Sequence, residues 1–385
     1  MRWLTAGESH GPQLTVILEG CPAGLLLTEE DLVKDLGRRQ GGHGRGDRQR
    51  IEQDRAQILS GVRFGRTLGS PITLALTNRD WENWRDRMRI EPDGQTSDEV
   101  TKLRPGHADL AGALKYGHRD VRNVLERASA RETAARVATG GIARRILDLF
   151  GIRVFSFVET IGNVSWDCSA IDPRQIAEEA IEASAVRCPD PRATEQMVSA
   201  IDAAKDAGDT LGGTFRVVAL GVPVGIGSYV HWDRRLDGLL AQAICSIQAV
   251  KGVEIGLGFE AAARSGSKVH DVIEYTAGAG FSHRTNRAGG ITGGVSNGEP
   301  IDLRAAVKPI STLRQPLESV DLRSKDKVVA HYERSDVCIV PAAGVIGEAM
   351  VCLTLVNPLL EKFGADSIAE IGRNFDAYMA ASVET

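Results

Sequence analysis

The sequence predicts an α+β fold in which residues 1–385 form a single domain. Predicted strands and helices are mixed irregularly along the chain, unlike the strict βαβ order of a doubly wound sheet. No low-complexity segment, Pro/Ser-rich linker or short repeat divides the chain. The 385 residues, 42% of them hydrophobic, can bury one large core or two modest ones.

The first half of the chain predicts one clear strand, two helices and a long loop. Residues 12–18 form an apolar run typical of a strand. Thr28 precedes three acidic residues and predicts the N-cap of a helix that runs to about Arg39. Apolar side chains at three- and four-residue steps predict an amphipathic helix over 130–149. Residues 78–99 are highly charged without a clear period, which predicts an exposed and mobile loop.

The second half predicts one strand and four helices. The strand covers 214–222, and the helices start at Asp172, cover 236–252, cover 344–363 and cover 367–381. Pro173 favours the first helical position because its missing N–H has no partner there in any case. Pro358 is predicted to interrupt the apolar helix over 344–363.

Composition excludes several classes of protein. The net charge of −5 provides no global basic field for nucleic acid. The six cysteines form no C-x-x-C pair, which predicts no metal site and favours free thiols in a reducing cytoplasm. The N-terminus lacks the apolar core of a signal peptide, and no apolar stretch reaches the ~20 residues that span a bilayer. A cytoplasmic protein without nucleic-acid or membrane partners is expected.

Two histidines stand in settings that suit proton transfer. His10 lies between small residues in GESHG, although a lone His in such a turn more often makes local hydrogen bonds. His107 follows the turn-forming Pro105 and Gly106, which would mount its ring rigidly. Imidazole exchanges protons near neutral pH because its ordinary pKa is about 6.5. Asp109 would either orient a ring or cap a helix, and capping is favoured.

A run of arginines and glycines over 38–50 predicts an anion site. Five arginines lie in these thirteen residues, and guanidinium forks match phosphate and carboxylate oxygens. A solvated basic loop and an RNA-binding segment are the alternatives. The second alternative is weakened because the run has no interleaved aromatic residues.

Three further segments allow a functional and a purely structural interpretation. Ser129 and Glu132 fit a capping box whose helix N-terminus would favour phosphate, or merely a capped helix with exposed arginines. The glycines of 289–298 suit a loop packed against a flat ring, or a hairpin; they do not fit a Rossmann motif. Arg334 and Asp336, two apart at a predicted strand start, face one side, as either a site or a surface pair.

Taken in order, six motifs resemble the chorismate synthase family and extend from residue 7 to residue 350. They read GESHG, RRQGGHGRGDRQR, RPGHAD, SARETA, FSHRTNRAGGITGGVSNG and RSDVCIVPAAGVIGEAM. The resemblance implies a β-α-β sandwich assembled as a homotetramer. It implies a lyase of the shikimate pathway, which makes aromatic amino acids, that removes phosphate from 5-enolpyruvylshikimate-3-phosphate (EPSP) by anti-1,4-elimination. Reduced FMN would be required without net redox change.

The resemblance also implies roles for individual residues. His10 would protonate the departing phosphate, His107 would support the reduced flavin, and Asp336 would relay a proton, aided by Ser9 and Ser129. Substrate anions would be held by His10, Arg39, Arg45, Arg48, Arg131 and Arg334. Flavin contacts would come from Arg127, Ala128, Ser129, Gln248, Ala249, Gly293, Lys308, Pro309, Ile310, Ser311, Thr312 and Arg334, and NADP contacts from Arg39 and Arg45. Many family members have Ser where this chain has Ala128, so one hydroxyl is missing here.

The source of electrons leaves two other interpretations. No separate reductase segment is recognisable, so an external flavin reductase or other reductant is expected, with NADPH acting only indirectly. A flavin-dependent NADPH oxidoreductase is one alternative, and it would turn over NADPH without releasing phosphate. An RNA-binding protein is the other, and it would not need His10 or His107.

Overall fold

Two antiparallel sheets with helices packed between them organise the structure. It is a computed structural model that describes residues 1–46, 53–92, 99–169, 171–278, 280–333 and 335–384. The strands are β1 (Arg2–Ala6), β2 (Gln13–Glu19), β3 (Gln57–Ile58), β4 (Val62–Arg63), β5 (Arg66–Thr67), β6 (Ile72–Thr77), β7 (Arg153–Ile161), β8 (Val164–Ser165), β9 (Gly213–Leu220), β10 (Val250–Ile255), β11 (Ile273–Thr276), β12 (Gly280–His283), β13 (Ile291–Thr292), β14 (Val295–Ser296), β15 (Ile301–Val307), β16 (Glu318–Val320) and β17 (Lys327–Val329). The helices are α1 (Glu30–Gln40), α2 (Asp109–Tyr116), α3 (Arg122–Ala128), α4 (Thr133–Asp148), α5 (Glu178–Ala183), α6 (Pro191–Asp206), α7 (Leu236–Cys245), α8 (Phe259–Ala262), α9 (Val340–Phe363) and α10 (Ile368–Glu384).

The two larger sheets cover opposite sides of a helical layer. The first has the order β1-β2-β6-β3 and the second the order β10-β15-β9-β7-β8, and all neighbours are antiparallel. Helix α4 packs on the first sheet, α9 packs on the second, and α4 and α9 pack on each other. This arrangement confirms the predicted α+β class and the expected β-α-β sandwich.

Small residues allow the helices to approach their neighbours closely. A Cβ added at Gly140 in α4 would overlap Ala349 in α9, and one added at Gly347 would lie 2.8 Å from the Phe215 ring of β9. Both positions are therefore places where any larger side chain would force the layers apart. The helical layer is thin because these glycines permit it.

Helix α9 is the central core helix. It is long and apolar enough to cross a bilayer, but 89% of its most apolar window is buried inside the fold. Its start differs from the prediction, because Pro341 occupies the first turn, where its missing N–H is tolerated. The predicted interruption at Pro358 is wrong, since the helix continues through this residue to Phe363.

Several boundaries near the cavity described below also differ from the prediction. Helix α7 ends at Cys245 instead of near residue 252, because Ala249 has a left-handed φ of 69° and β10 begins at Val250. The helix expected over 130–149 begins at Thr133, after a 3₁₀ turn over Ala130–Glu132, and is buried on most sides. The strand expected after residue 334 is absent among residues 335–339, which lead directly into α9.

Other local predictions can be compared with the structure directly. The strands over 12–18 and 214–222 and the final helix are confirmed as β2, β9 and α10. Asp172 caps only a 3₁₀ turn over Pro173–Gln175. The Thr28 hydroxyl donates to Asp31 instead of capping a backbone N–H. All six cysteines are free thiols, as expected.

The segment over 78–99 is not uniformly exposed. Asn78 and Asp80 are buried, and a 3₁₀ turn covers Arg79–Asn83. Asp80 also accepts a hydrogen bond from the indole of Trp84 at 3.1 Å. The expectation of exposure is therefore wrong for the start of the segment, while residues 93–98 lie outside the described residues.

Candidate active site

A cavity of about 560 Å³ opens where α1, α3, α4 and α9 come together at one end of the helical layer. Its volume lies in the usual range for cofactor and ligand sites, roughly 300–1,000 Å³. His10, His107 and Asp336, which lie far apart in the sequence, all line it. The loops over 104–109, 247–249 and 308–312 complete its wall.

Most of the site residues expected from the sequence line this cavity. They are Ser9, His10, Arg39, Arg45, His107, Ala128, Ser129, Arg131, Gln248, Ala249, Lys308, Ile310, Ser311, Thr312 and Asp336. Arg127, Pro309 and Gly293 are not part of its lining in this chain. Arg48 and Arg334 lie outside the described residues.

The ring of His10 is held between a carboxylate and an indole. Its Nδ1 lies 3.0 Å and 3.1 Å from the two carboxylate oxygens of Glu126, and its backbone N–H donates to the same carboxylate at 2.7 Å. The Trp84 ring stacks on the imidazole with 3.9 Å between ring centroids. His10 is therefore fixed on two sides, which is more than a turn histidine requires.

His107 is also backed by a buried carboxylate. Its Nδ1 contacts Asp109, which is fully buried and also accepts from Nε of Arg104 at 3.0 Å. Burial opposes ionisation of Asp109, but the hydrogen bond from His107 and the charge of Arg104 lower its pKa. Asp109 orients the ring and makes no side-chain cap on α2, so the favoured capping role is wrong.

A cluster of buried guanidinium groups forms the polar floor. Arg39 and Arg131 share the buried carboxylate of Asp54, with N–O distances of 3.4 Å and 2.5 Å. Burial lowers the pKa of Arg39, Asp54 opposes the shift, and the charges of Arg131 and Arg45 lower it further. In this cluster the three guanidinium groups of Arg39, Arg45 and Arg131 face two carboxylates, Asp54 and Asp336, and an anionic ligand would balance the remaining positive charge.

Arg45 connects this cluster to Asp336. Its Nη1 lies 2.9 Å from one Asp336 oxygen, and the backbone N–H of Gly46 donates to the other at 2.6 Å. The Nε of Arg45 is buried and has no hydrogen-bond partner among the described residues. A buried donor without a partner is costly, so this N–H is a natural contact for a ligand oxygen.

Two serines lie beside the N-terminus of α4. The Ser9 hydroxyl donates to Ser129 at 3.1 Å, and Ser129 accepts from the backbone N–H of Arg131. The predicted capping box is only half formed, since Glu132 bonds Thr5 and Arg136 instead of reaching back. The positive end of α4 still faces this part of the site and favours a nearby anion.

A second part of the cavity lining carries less charge. Gln248 and Ala249 form one part of it, and Lys308 donates to the carbonyl of Gly106 at 2.8 Å. The Oε1 atom of Gln248 is buried without a hydrogen-bond donor among the described residues. Burial and the nearby charge of Lys251 lower the pKa of Lys308.

Two expected flavin contacts lie elsewhere in the chain. Gly293 lies in the turn of a hairpin between β13 and β14, and a ligand contact from this turn stays a prediction. The Arg127 side chain points to β1, where it donates to the Thr5 carbonyl at 2.8 Å. Within one chain, neither the Arg127 side chain nor the turn at Gly293 reaches the cavity.

Sequence reasoning missed several lining residues. Trp84 lay in a segment interpreted as an exposed loop, and Glu126 and Glu333 belong to no motif that carries a chemical signal. Arg104 belongs to the RPGHAD motif, but the sequence alone gives it no role. The apolar lining residues Ile247, Ile339 and Ile346 could have been placed only by knowing how the chain folds.

Comparison with known proteins gives a consistent result. The family model described as chorismate synthase matches residues 1–360. A chorismate synthase of Desulforudis audaxviator is 58% identical over 98% of this chain and 97% of its own length. One from Geobacter sulfurreducens is 54% identical, with 98% of each chain covered. A crystal structure of a chorismate synthase superposes with a TM-score of 0.81 at 44% identity, covering 100% of this chain and 98% of that one.

Proposed function

The chain belongs to the chorismate synthase family, and from this premise we propose that the cavity shared by His10, His107 and Asp336 is its active site. The enzyme is a carbon–oxygen lyase that converts EPSP to chorismate by 1,4-elimination of phosphate. The observation that carries the site assignment is the convergence of His10, His107 and Asp336 with the guanidinium groups of Arg39, Arg45 and Arg131 from distant segments.

The substrate is a small polyanion with a phosphate and two carboxylates. Arg39, Arg45 and Arg131 supply the excess positive charge that such a ligand needs. The buried Nε of Arg45 and the N-terminus of α4 add donors directed at anionic oxygens. We assign the phosphate and carboxylate contacts to this floor, with Arg48 and Arg334 as further contacts carried over from the family.

We assign reduced FMN to the part of the cavity lined by Gln248 and Lys308. The unpartnered Oε1 of Gln248 would accept an N–H of the isoalloxazine ring, and Lys308, Ile310, Ser311 and Thr312 would border it. When bound, reduced FMN supplies transient electron donation that helps expel phosphate from an allylic carbon. Ala128 supports the flavin through its backbone alone, because it lacks the hydroxyl found in many relatives. Flavin contacts from Arg127, Pro309 and Gly293 remain proposals, and these three residues do not line the cavity in this chain.

We assign a different role in proton transfer to each of the three titratable residues His10, His107 and Asp336. His10, beside the arginine floor, protonates the departing phosphate. His107 lies beside Lys308 through the Gly106 loop and supports the anionic form of the flavin. Asp336 accepts and releases the proton that leaves the substrate carbon, and the hydrogen-bonded hydroxyls of Ser9 and Ser129 are assigned to a proton relay by analogy with the family.

Asp336→Asn is expected to lower kcat by about 10²-fold, within the usual contribution of a general acid or base. FMN and EPSP binding should change far less than kcat, because Asn can still accept from Gly46, although it loses both the charge that pairs with Arg45 and the proton relay. Phosphate release under anaerobic conditions measures kcat, and equilibrium dialysis measures binding. The exposed Asp233→Asn is the matched control. Normal turnover of Asp336→Asn would remove Asp336 from the mechanism.

Arg45→Ala is expected to raise the KM for EPSP by about tenfold or more, since it removes a charge-assisted contact. FMN affinity should change far less, because Arg45 lies on the arginine floor and not in the part of the lining assigned to FMN. The exposed Arg153→Ala is the control for loss of one positive charge. Equal weakening of both ligands would contradict the assignment of the two walls.

The reductant, the assembly and the location are also proposals. We propose that an external flavin reductase or another reductant supplies the electrons, with NADPH acting only indirectly. The exposed rings of Tyr275 and Phe281 supply apolar surface for the contacts of a homotetramer. Six free thiols suit the cytoplasm.

Titration of the protein with oxidised FMN, alone and with EPSP, tests the proposed site. We expect tight FMN binding in the presence of EPSP, seen as a bound flavin spectrum, and much weaker binding of FMN to the Gln248→Leu variant. Undiminished FMN binding by that variant would place the flavin elsewhere. NADPH oxidation without phosphate release would favour an oxidoreductase instead.

A further inference from the structure

Glu126 is a buried carboxylate at the edge of the cavity whose contacts converge on His10. It lies in α3 and is 3% exposed. It accepts the backbone N–H of His10 at 2.7 Å and faces the ring Nδ1 with both oxygens, at 3.0 Å and 3.1 Å. Backbone and ring of one residue are thus held by one carboxylate.

This contact fixes the proton of the imidazole. An ionised carboxylate can only accept hydrogen bonds, so Nδ1 of His10 must carry a hydrogen. In the neutral ring, Nε2 is then the basic nitrogen and the one that exchanges a proton with a ligand. The Trp84 ring, stacked on the imidazole and held through its own N–H by Asp80, prevents rotation out of this position.

The Glu126 carboxylate lies closer to His10 than to the nearest guanidinium group. The nearest guanidinium, Arg122, lies 3.4 Å from Glu126 but 2.6 Å from Glu333. Although burial opposes it, the hydrogen bond from His331 and the charges of Arg122 and Arg104 lower the pKa of Glu333 to about 2, so Glu333 remains an anion that engages Arg122. Asp80 on the adjacent turn is a further acidic group facing the same region.

His107 provides an internal contrast. Its carboxylate partner Asp109 is also bonded by Arg104, through Nε at 3.0 Å and Nη2 at 3.2 Å. The same Nη2 lies 3.1 Å from Nδ1 of His107. Glu126, by comparison, has its nearest guanidinium nitrogen, from Arg122, at 3.4 Å.

We propose that Glu126 is a positioning residue that holds His10 in its Nδ1–H tautomer and stabilises the positively charged ring. This inference rests on the proposed function, in which the protonated form of His10 is the acid that protonates the departing phosphate. Glu126 stabilises that form of His10. Asp109, the partner of His107, is shared closely with Arg104, whereas Arg122 lies 3.4 Å from Glu126.

Glu126→Gln tests the charge separately from the shape. The amide keeps an acceptor oxygen for His10 but removes the negative charge. We expect kcat to fall at least about tenfold, less than the 10²–10⁴-fold contribution of an acid itself. The alkaline limb of the kcat–pH profile should move to lower pH, with the KM for EPSP nearly unchanged. Glu361→Gln, at an exposed ion pair, is the matched control and should leave both unchanged.

The outcomes separate this proposal from the function it rests on. If the wild-type enzyme forms no chorismate with reduced FMN, the proposed function fails. If the wild type is active and Glu126→Gln leaves the pH profile in place, the proposal fails, even when kcat falls. A lower kcat with a displaced profile supports it.

A measurement on the wild-type enzyme avoids any dependence on folding of the variant. Nitrogen-15 NMR of histidine-labelled protein, with the His10→Asn spectrum subtracted, reports which ring nitrogen of His10 carries hydrogen at high pH. The proposal requires hydrogen on Nδ1, the less common tautomer of free histidine. Hydrogen on Nε2 would overturn it.

Discussion

Replacing His107 with Ala is expected to lower kcat for chorismate formation by about 10²–10⁴-fold, the usual contribution of a positioned acid or base. The fold should persist, because Asp109 remains neutralised by Arg104 and still accepts the Arg104 backbone N–H at 3.0 Å. The KM for EPSP should change little, since the arginine floor is untouched. Anaerobic phosphate release and thermal unfolding of the same preparation measure the two effects.

A surface histidine supplies the control. His231 pairs through Nδ1 with Asp233 at 2.7 Å, two residues along the chain, as His107 pairs with Asp109. His231 is exposed and lies outside the cavity lining, so His231→Ala should leave turnover unchanged. If His107→Ala turned over EPSP as well as His231→Ala does, the assigned role of His107 would be wrong.

Replacing Glu348 with Ala is expected to reduce the free energy of unfolding by about 3–5 kcal/mol, as found when one partner of a buried ion pair is removed. Glu348 in α9 is fully buried and bonds Arg38 of α1, Arg144 of α4 and Arg187, at 2.7–3.1 Å. Its loss leaves buried guanidinium groups without their common anion. Denaturant unfolding at neutral pH measures the change.

The pH dependence of this effect has a definite sign. Burial opposes ionisation, but Arg38, Arg144 and Arg187 lower the pKa of Glu348 to about 2, below its ordinary value of 4.5. The stabilisation is therefore complete above about pH 4.5 and declines as the pH falls towards 2. Wild type and Glu348→Gln should converge in stability over that interval.

The exposed pair of Glu361 and Arg234 gives the reference for a surface salt bridge. Glu361→Ala should cost about 1 kcal/mol or less. A loss of similar size in Glu348→Ala would show that the buried cluster does not hold α1, α4 and α9 together.

Local patterns predicted the elements whose determinants lie close in sequence. The apolar run of β2 and the apolar spacing of α4 were sufficient, because strand and helix periods are short. Boundaries failed where a distant contact decided them. After α7 the chain passes through Ala249 in a left-handed conformation. This turn leads into β10, which pairs with β15 about fifty residues further on.

The same distinction holds in the cavity. Motifs identified His10, His107 and Asp336, because each stands among unusual neighbours in the sequence. Nothing near Glu126 indicates that it will meet His10, which lies 116 residues away. Asp54, the shared partner of Arg39 and Arg131, is likewise recognisable only after the chain has folded. The partners that tune a site are set by long-range packing, which no local pattern records.

The most direct test of the account is an anaerobic assay in which EPSP greatly exceeds chemically reduced FMN. Phosphate and chorismate should appear in equal amounts, with many turnovers for each flavin and no consumption of the reductant. That result is required of a cavity that eliminates phosphate without net redox change. Product limited to one per flavin, or reductant consumed in proportion to product, would contradict it.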